Sequence, residues 1–233
     1  MVNQDRRDFL KAGVVIGAGM AFGSIPPSND EGKGLPSEKE MSIFDVFRKR
    51  RSVRSYRSTP VPEEHVEKII DAARMAPTAG NQQPWKFLVI RDRVKLDELK
   101  EACIADRLRR YREQKKPVEE ELNEMESRLR STYRKVFSAP VFIVVLVDTQ
   151  SKWPSYNAHD GPLAAGTLML AARALGYGTV YFTDTITDGV TREVLCIPDR
   201  YERICITPVG VPEEWPETPS KKNLDELIFY DSF

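Results

Sequence analysis

Five consecutive residues, Arg50-Arg51-Ser52-Val53-Arg54, bring three guanidinium groups and a hydroxyl into one short stretch. A guanidinium presents parallel N–H donors in a planar fork and stays charged at any relevant pH, so a cluster of this density can hold a phosphate dianion. A short way downstream, Pro77-Thr78-Ala79-Gly80-Asn81-Gln82-Gln83-Pro84-Trp85 forms a polar, turn-rich stretch that runs into an aromatic. A basic pentapeptide alone is most often solvated surface. Its joint occurrence with the second stretch points to a phosphorylated, flat ligand.

Composition narrows the classes. The chain has 233 residues, 41% of them apolar, which suits one domain or one domain with a short extension. Lys+Arg and Asp+Glu number 35 each, so the net charge is zero and nothing global favours a nucleic-acid or membrane-surface partner. The two histidines, His65 and His159, and the three cysteines, Cys103, Cys196 and Cys205, show no metal-ligand spacing, so no metal is expected. Redox chemistry would therefore need an organic cofactor. Cys196 and Cys205 are candidates for pairing in an oxidising compartment, with the odd count leaving at least one thiol free.

The N-terminus reads as an address. Asp5-Arg6-Arg7-Asp8-Phe9-Leu10-Lys11 precedes an apolar, glycine-rich run from Ala12 to Ile25. A basic region, a short apolar region and small residues in that order fit a secretory signal, and the adjacent arginines resemble the twin-arginine export type. The run is too short to give a stable membrane span. A disordered start or a buried amphipathic helix is the alternative. Gly13, Gly17, Gly19 and Gly23 do not have dinucleotide-loop spacing, and no strand precedes them. Residues 1–25 are thus read as the signal, 26–40 as a flexible linker and 41–233 as the folded domain. The address implies a periplasmic or extracytoplasmic location, or a cytoplasmic one if residues 1–25 are not a signal.

The elements that position the two stretches follow from periodicity. Ser42–Arg50 predicts a helix leading straight into the arginines, and Glu63–Met75 a second one, begun by Pro60-Val61-Pro62. Lys86–Arg91 reads as a short strand, Val94–Cys103 as a helix, and Val141–Val147 as a central strand apolar on both faces. The densely charged segment 105–136, with Leu108, Tyr111, Leu122, Met125 and Leu129 thinly spaced, reads as a helical lid or a solvated helical face. Leu163–Leu175 predicts an apolar helix stopped by Gly176, followed by strand Thr179–Thr183, helix Gly189–Cys196 and strand Ile204–Val211. The order implies an α+β fold, a mixed sheet with helices on both faces. The apolar tail at 224–230 is expected to dock on something.

The arginine cluster after the first helix, Ala76–Trp85 after the second, Ala139-Pro140 heading the central strand and a basic pair before Leu224-Asp225-Glu226-Leu227 together resemble the nitroreductase family of flavoproteins, over residues 42–233. That resemblance implies flavin mononucleotide (FMN) as cofactor. It matches Arg50, Arg51, Ser52 and Arg54 to phosphate and ribityl contacts. Pro77, Thr78 and Asn81 match a loop reaching the flavin of the other subunit, so that the site forms in a homodimer wrapped by the C-terminal tail. Thr183 and Asp184 match the backbone donors near flavin N5, and Lys221 and Lys222 a late basic return to the phosphate. It also implies ping-pong reduction of nitro compounds, quinones or related electron-poor small molecules by NAD(P)H or another donor. Flavin N5 carries that chemistry, so no side chain is assigned as catalytic; His65 and His159 are read as structural. Two further readings are a flavin-binding carrier or sensor, and a reductive dehalogenase or flavin-fragmenting enzyme on the same scaffold.

Overall fold

The structure, a computed structural model, describes residues 41–232. The export signal read at 1–25 and the linker read at 26–40 lie outside the described residues.

Three strands form the sheet: β1 (Trp85–Ile90), β2 (Val141–Asp148) and β3 (Tyr201–Val209), in the order β1-β2-β3 and antiparallel throughout. Trp85 stands opposite Val147, and Val141 opposite Val209, with a register shift between Val145 and Leu146. Isolated bridges extend the sheet beyond β3: Phe182 to Ile206 and Gly178 to Gly210 antiparallel, then Ser52 to Thr179 parallel. That last pairing makes the sheet mixed. The strand expected at Thr179–Thr183 is reduced to these bridges. Gly178–Gly210 and Phe182–Ile206 share one antiparallel register, but the pair between them would join Val180 to Pro208, which has no N–H to donate, so the ladder is interrupted.

Helices cover both faces. Strand β2 shows why, because its alternate side chains enter two separate cores. Phe142, Val144 and Leu146 join Ile206 under α3 (Arg93–Lys115), α4 (Glu119–Val136) and α6 (Asp188–Leu195). Val141, Ile143 and Val145 join Cys205 and Val209 under α2 (Glu63–Ala73) and α5 (Asn157–Ala174). Each such buried aliphatic side chain contributes about 1.5–3 kcal/mol.

Helix α3 runs further than periodicity indicated. Asp92 caps α3 by accepting from the Val94 N–H at 2.9 Å, and the helix continues past Cys103 to Lys115, where Lys116 turns left-handed ahead of Pro117. Ion pairs one turn apart support the extension, Arg109 to Asp106 at 2.7 Å and to Glu113 at 3.0 Å. The segment 105–136 seats one apolar side in the core. Leu122, Leu129, Tyr133 and Val136 of α4 are buried, and Leu108 and Met125 pack against the same core. Only its charged side faces water. Helix α5 ends as expected at Gly176, whose φ of +83° favours glycine.

Candidate functional site

Helix α1 (Ile43–Lys49) delivers the arginines. Ser42 opens it, its hydroxyl accepting from the Asp45 N–H at 3.2 Å, and Val46 anchors it in the interior. Beyond α1, Val53 and Tyr56 are core residues, and the Val53 N–H donates to the Thr179 carbonyl at 3.0 Å. The alternation is tight: buried Val53 and Tyr56 fix the backbone on which Arg50, Arg51, Ser52 and Arg54 are displayed.

A cleft of about 910 Å³ opens there, lined by Arg50, Arg51, Ser52, Arg54, Thr218 and Lys221 among others. One wall is the chain after β3, laid against the cationic segment. Pro212 bridges to Tyr56, Glu213 accepts from the Ser55 hydroxyl, and Thr218 accepts from Arg51. Arg51 also donates to the carbonyls of Arg48 and Arg50 at 2.6 and 2.7 Å, so it shapes the turn as well as charging it. Arg50 is different: its Nη1 is buried with no hydrogen-bond partner among the described residues. A buried guanidinium nitrogen without an acceptor is costly, and an anion in the cleft would supply one. The residues present therefore fit a phosphate. Lys222 is exposed beside Lys221 but does not line the cleft.

The loop at 77–83 is built separately. Gly80, Asn81 and Gln83 all have φ between +50° and +55°, an unusual concentration of left-handed backbone. Asp160 at the start of α5 holds it. This buried carboxylate accepts from the Ala79 N–H at 3.1 Å and from Gln82 Nε2 at 2.7 Å. Gln82 in turn accepts from the Trp153 N–H at 2.7 Å and donates to its carbonyl at 3.1 Å. The Trp153 ring occupies the space that a Cβ at Gly80 would need. Pro77, Thr78 and Asn81 do not line the arginine cleft within one chain.

Thr183 and Asp184 lie in a third place, an exposed turn between Phe182 and α6. They too are absent from the lining of the arginine cleft. Arg203 from β3 donates to the Thr183 carbonyl at 2.7 Å. Tyr133, whose hydroxyl burial pushes well above the ordinary range and so keeps protonated, donates to the Thr185 carbonyl. Spacing alone did not reveal Asp160, Gln82 or Arg203. An acidic residue shortly before an apolar helix was the one available signal for Asp160.

His65 places its Nδ1 2.7 Å from the Tyr177 hydroxyl. His159 is exposed beside Tyr156. Cys196 is exposed and Cys205 buried, both as free thiols, so the pairing considered between them is not formed. Among the described residues, no cluster of His, Cys, Asp and Glu could hold a metal, and no helix is long and apolar enough to cross a membrane.

These elements match known proteins. The nitroreductase family model matches residues 47–211, and the chain belongs to that family. A protein of Methanothermobacter thermautotrophicus, provisionally named NADH dehydrogenase/NAD(P)H nitroreductase, is 30% identical over 77% of this chain and 82% of its own length. Iodotyrosine deiodinase of Nematostella vectensis is 28% identical over 83% of this chain and 78% of its own. Among solved structures, oxidised iodotyrosine deiodinase bound to FMN and 3-iodo-L-tyrosine superposes with a TM-score of 0.67 at 25% identity, covering 82% of this chain and 100% of that one. An FMN-dependent nitroreductase from Clostridium difficile gives a TM-score of 0.59 at 26% identity, over 82% and 99%.

Proposed function

We propose that the protein is an FMN-dependent oxidoreductase that passes electrons from a reduced nicotinamide, or another donor, to nitro compounds, quinones or a related electron-poor acceptor in a ping-pong cycle. The observation that carries this reading is the arginine cleft, above all the buried, unpartnered Nη1 of Arg50. A flavin phosphate carries close to two negative charges. Arg50, Arg54 and Lys221 would neutralise it, Ser52 would add a neutral donor, and Arg51 would hold the turn and the facing wall together.

Bound FMN supplies the ring that takes up a hydride and releases electrons to the acceptor. The chain's task is positional. The turn at 80–83, left-handed at Gly80, Asn81 and Gln83 and pinned by Asp160, would keep Pro77, Thr78 and Asn81 available to the flavin of a second subunit. The exposed apolar residues of α1 (Ile43, Phe44, Phe47), Leu163 of α5 and the tail from Leu224 to Tyr230 support such a homodimer, because a face of this kind needs a cover. Thr183 and Asp184 would present backbone donors to the ring, and Lys222 would add charge at the cleft mouth.

The deciding measurement is the absorption spectrum of the purified full chain. A yellow protein that bleaches anaerobically with NADH or NADPH, then regains colour with a nitroaromatic or quinone, is expected. Colourless protein that takes up no added FMN overturns the reading. Yellow protein that bleaches with no donor instead indicates a flavin carrier.

Reductive dehalogenation is a second reading, supported by the likeness to iodotyrosine deiodinases across more than four-fifths of the chain. Iodide release from 3-iodotyrosine by the chemically reduced protein tests it. Export by the twin-arginine route belongs to the same proposal and calls for an extracytoplasmic electron donor; Arg6→Lys with Arg7→Lys should leave the precursor in the cytoplasmic fraction.

A further inference from the structure

The backbone from Thr183 to Thr187 is gripped by side chains arriving from three elements. Arg203 of β3, with only 5% of its side chain exposed, donates from Nη2 to the Thr183 carbonyl at 2.7 Å and from Nη1 to the Ile186 carbonyl at 3.0 Å. Its Nε lies 3.3 Å from Asp188, which anchors the fork. Tyr133 of α4 donates to the Thr185 carbonyl at 2.5 Å. The Thr187 hydroxyl donates to Asp106 of α3 at 3.3 Å.

The carbonyls of Thr183, Thr185 and Ile186 are therefore all turned toward the protein. In a planar trans peptide the C=O and the following N–H point in opposite directions, and the described residues contain no cis peptide. Fixing the Thr183 carbonyl on Arg203 accordingly aims the Asp184 N–H the other way. Among the described residues, the Asp184 N–H donates to no protein acceptor.

We propose that Arg203 is a positioning residue that aims the Asp184 N–H at the reactive nitrogen of bound flavin and thereby tunes its reduction potential. Tyr133 supports the same alignment from the neighbouring carbonyl. The inference rests on the FMN reading above and goes beyond it by assigning the residues that orient a backbone donor. An oxidised flavin has a lone pair at N5 that accepts such a hydrogen bond, whereas the reduced ring carries hydrogen there. A donor held in place before binding thus favours the oxidised form, at no reorganisation cost.

Two charge-conserving variants test this in the full chain loaded with FMN. Arg203→Lys keeps the cation but replaces a fork spanning two carbonyls with a single ammonium. Tyr133→Phe removes one hydroxyl and keeps the ring. Dissociation constants for oxidised and reduced FMN are measured alongside the midpoint potential. In Arg203→Lys, affinity for oxidised FMN should fall about tenfold relative to reduced FMN, which moves a two-electron potential positive by about 30 mV. Tyr133→Phe should move it the same way by less, and it decides the matter if Arg203→Lys does not fold. Parental potentials in the folded variants, with FMN bound in full or weakened equally in both forms, overturn the proposal while leaving the FMN reading intact. A parent chain that takes up no FMN overturns both.

Discussion

The guanidinium of Arg173 lies 3.8 Å from the centre of the Trp215 ring, stacked as a cation on an aromatic face. Arg173 is nearly buried in α5, and Trp215 follows β3 on the way to Thr218 and Lys221. The contact fastens the outer wall of the arginine cleft to the helix layer. A partly desolvated pair of this kind contributes about 1 kcal/mol. Trp215→Ala is therefore expected to weaken FMN binding about fivefold, with Trp215→Phe in between, as read by flavin fluorescence titration.

Arg50→Ala should weaken FMN binding about ten- to a hundredfold, the equivalent of about 1.5–3 kcal/mol for a charge-assisted bond. Because Arg50 Nη1 is already buried without a partner, the variant should not destabilise the ligand-free chain. Calorimetric titration with FMN beside thermal unfolding separates the two effects.

Asp160→Ala removes the acceptor for two donors at once, the Ala79 N–H and the Gln82 amide. Each orphaned donor costs about 1–3 kcal/mol, so the melting temperature should fall by roughly 5–15 °C. Asp160→Asn should fall less, since one oxygen acceptor survives. Scanning calorimetry of all three proteins checks the order.

Gly80→Ala should be destabilising for two separable reasons. The left-handed backbone costs about 1 kcal/mol for an alanine, and the new methyl meets the Trp153 ring. Adding Trp153→Ala should recover only the steric part, which a double-mutant cycle isolates.

The three cysteines should divide one against two. Burial pushes the thiols of Cys103 and Cys205 up to about 12, while Cys196 is exposed. A thiol-specific reagent should titrate one group per native chain near pH 8 and three after denaturation. Both buried thiols stay protonated when folded but ionise above about 8.5 when unfolded. The unfolded chain then binds fewer protons, so their contribution to stability is complete below that pH and drains away between about 8.5 and 12. Equilibrium denaturation across that range would show it.

The signals that were readable in the sequence were local ones. Val141–Val147 announced a strand buried on both faces by an unbroken apolar run, and Arg50–Arg54 announced a cationic surface by charge density alone. What stayed hidden depended on partners distant along the chain. The strand expected after Gly178 dissolved into bridges because Pro208, which falls opposite Val180 in the register set by Gly178–Gly210 and Phe182–Ile206, has no N–H to give the ladder. Leu122 and Leu129 looked sparse among charges, yet with Tyr133 and Val136 they follow a spacing of seven, four and three along one side of α4, and that side enters the core. Asp160 and Arg203 carry no motif; their roles come from carbonyls and amides in other segments that only folding brings near.

Strand β2 is enclosed from both sides, with every side chain from Val141 to Val147 almost fully hidden from water. A change of volume at any of these positions must be absorbed by one helix layer without disturbing the other. The outward surfaces of α3 and α4 are under no such restraint, yet their inward residue Tyr133 touches the turn that carries Asp184. Diversification of this scaffold is thereby channelled: its interior can drift only in matched sets, while the outward surfaces of α3 and α4 can change one residue at a time.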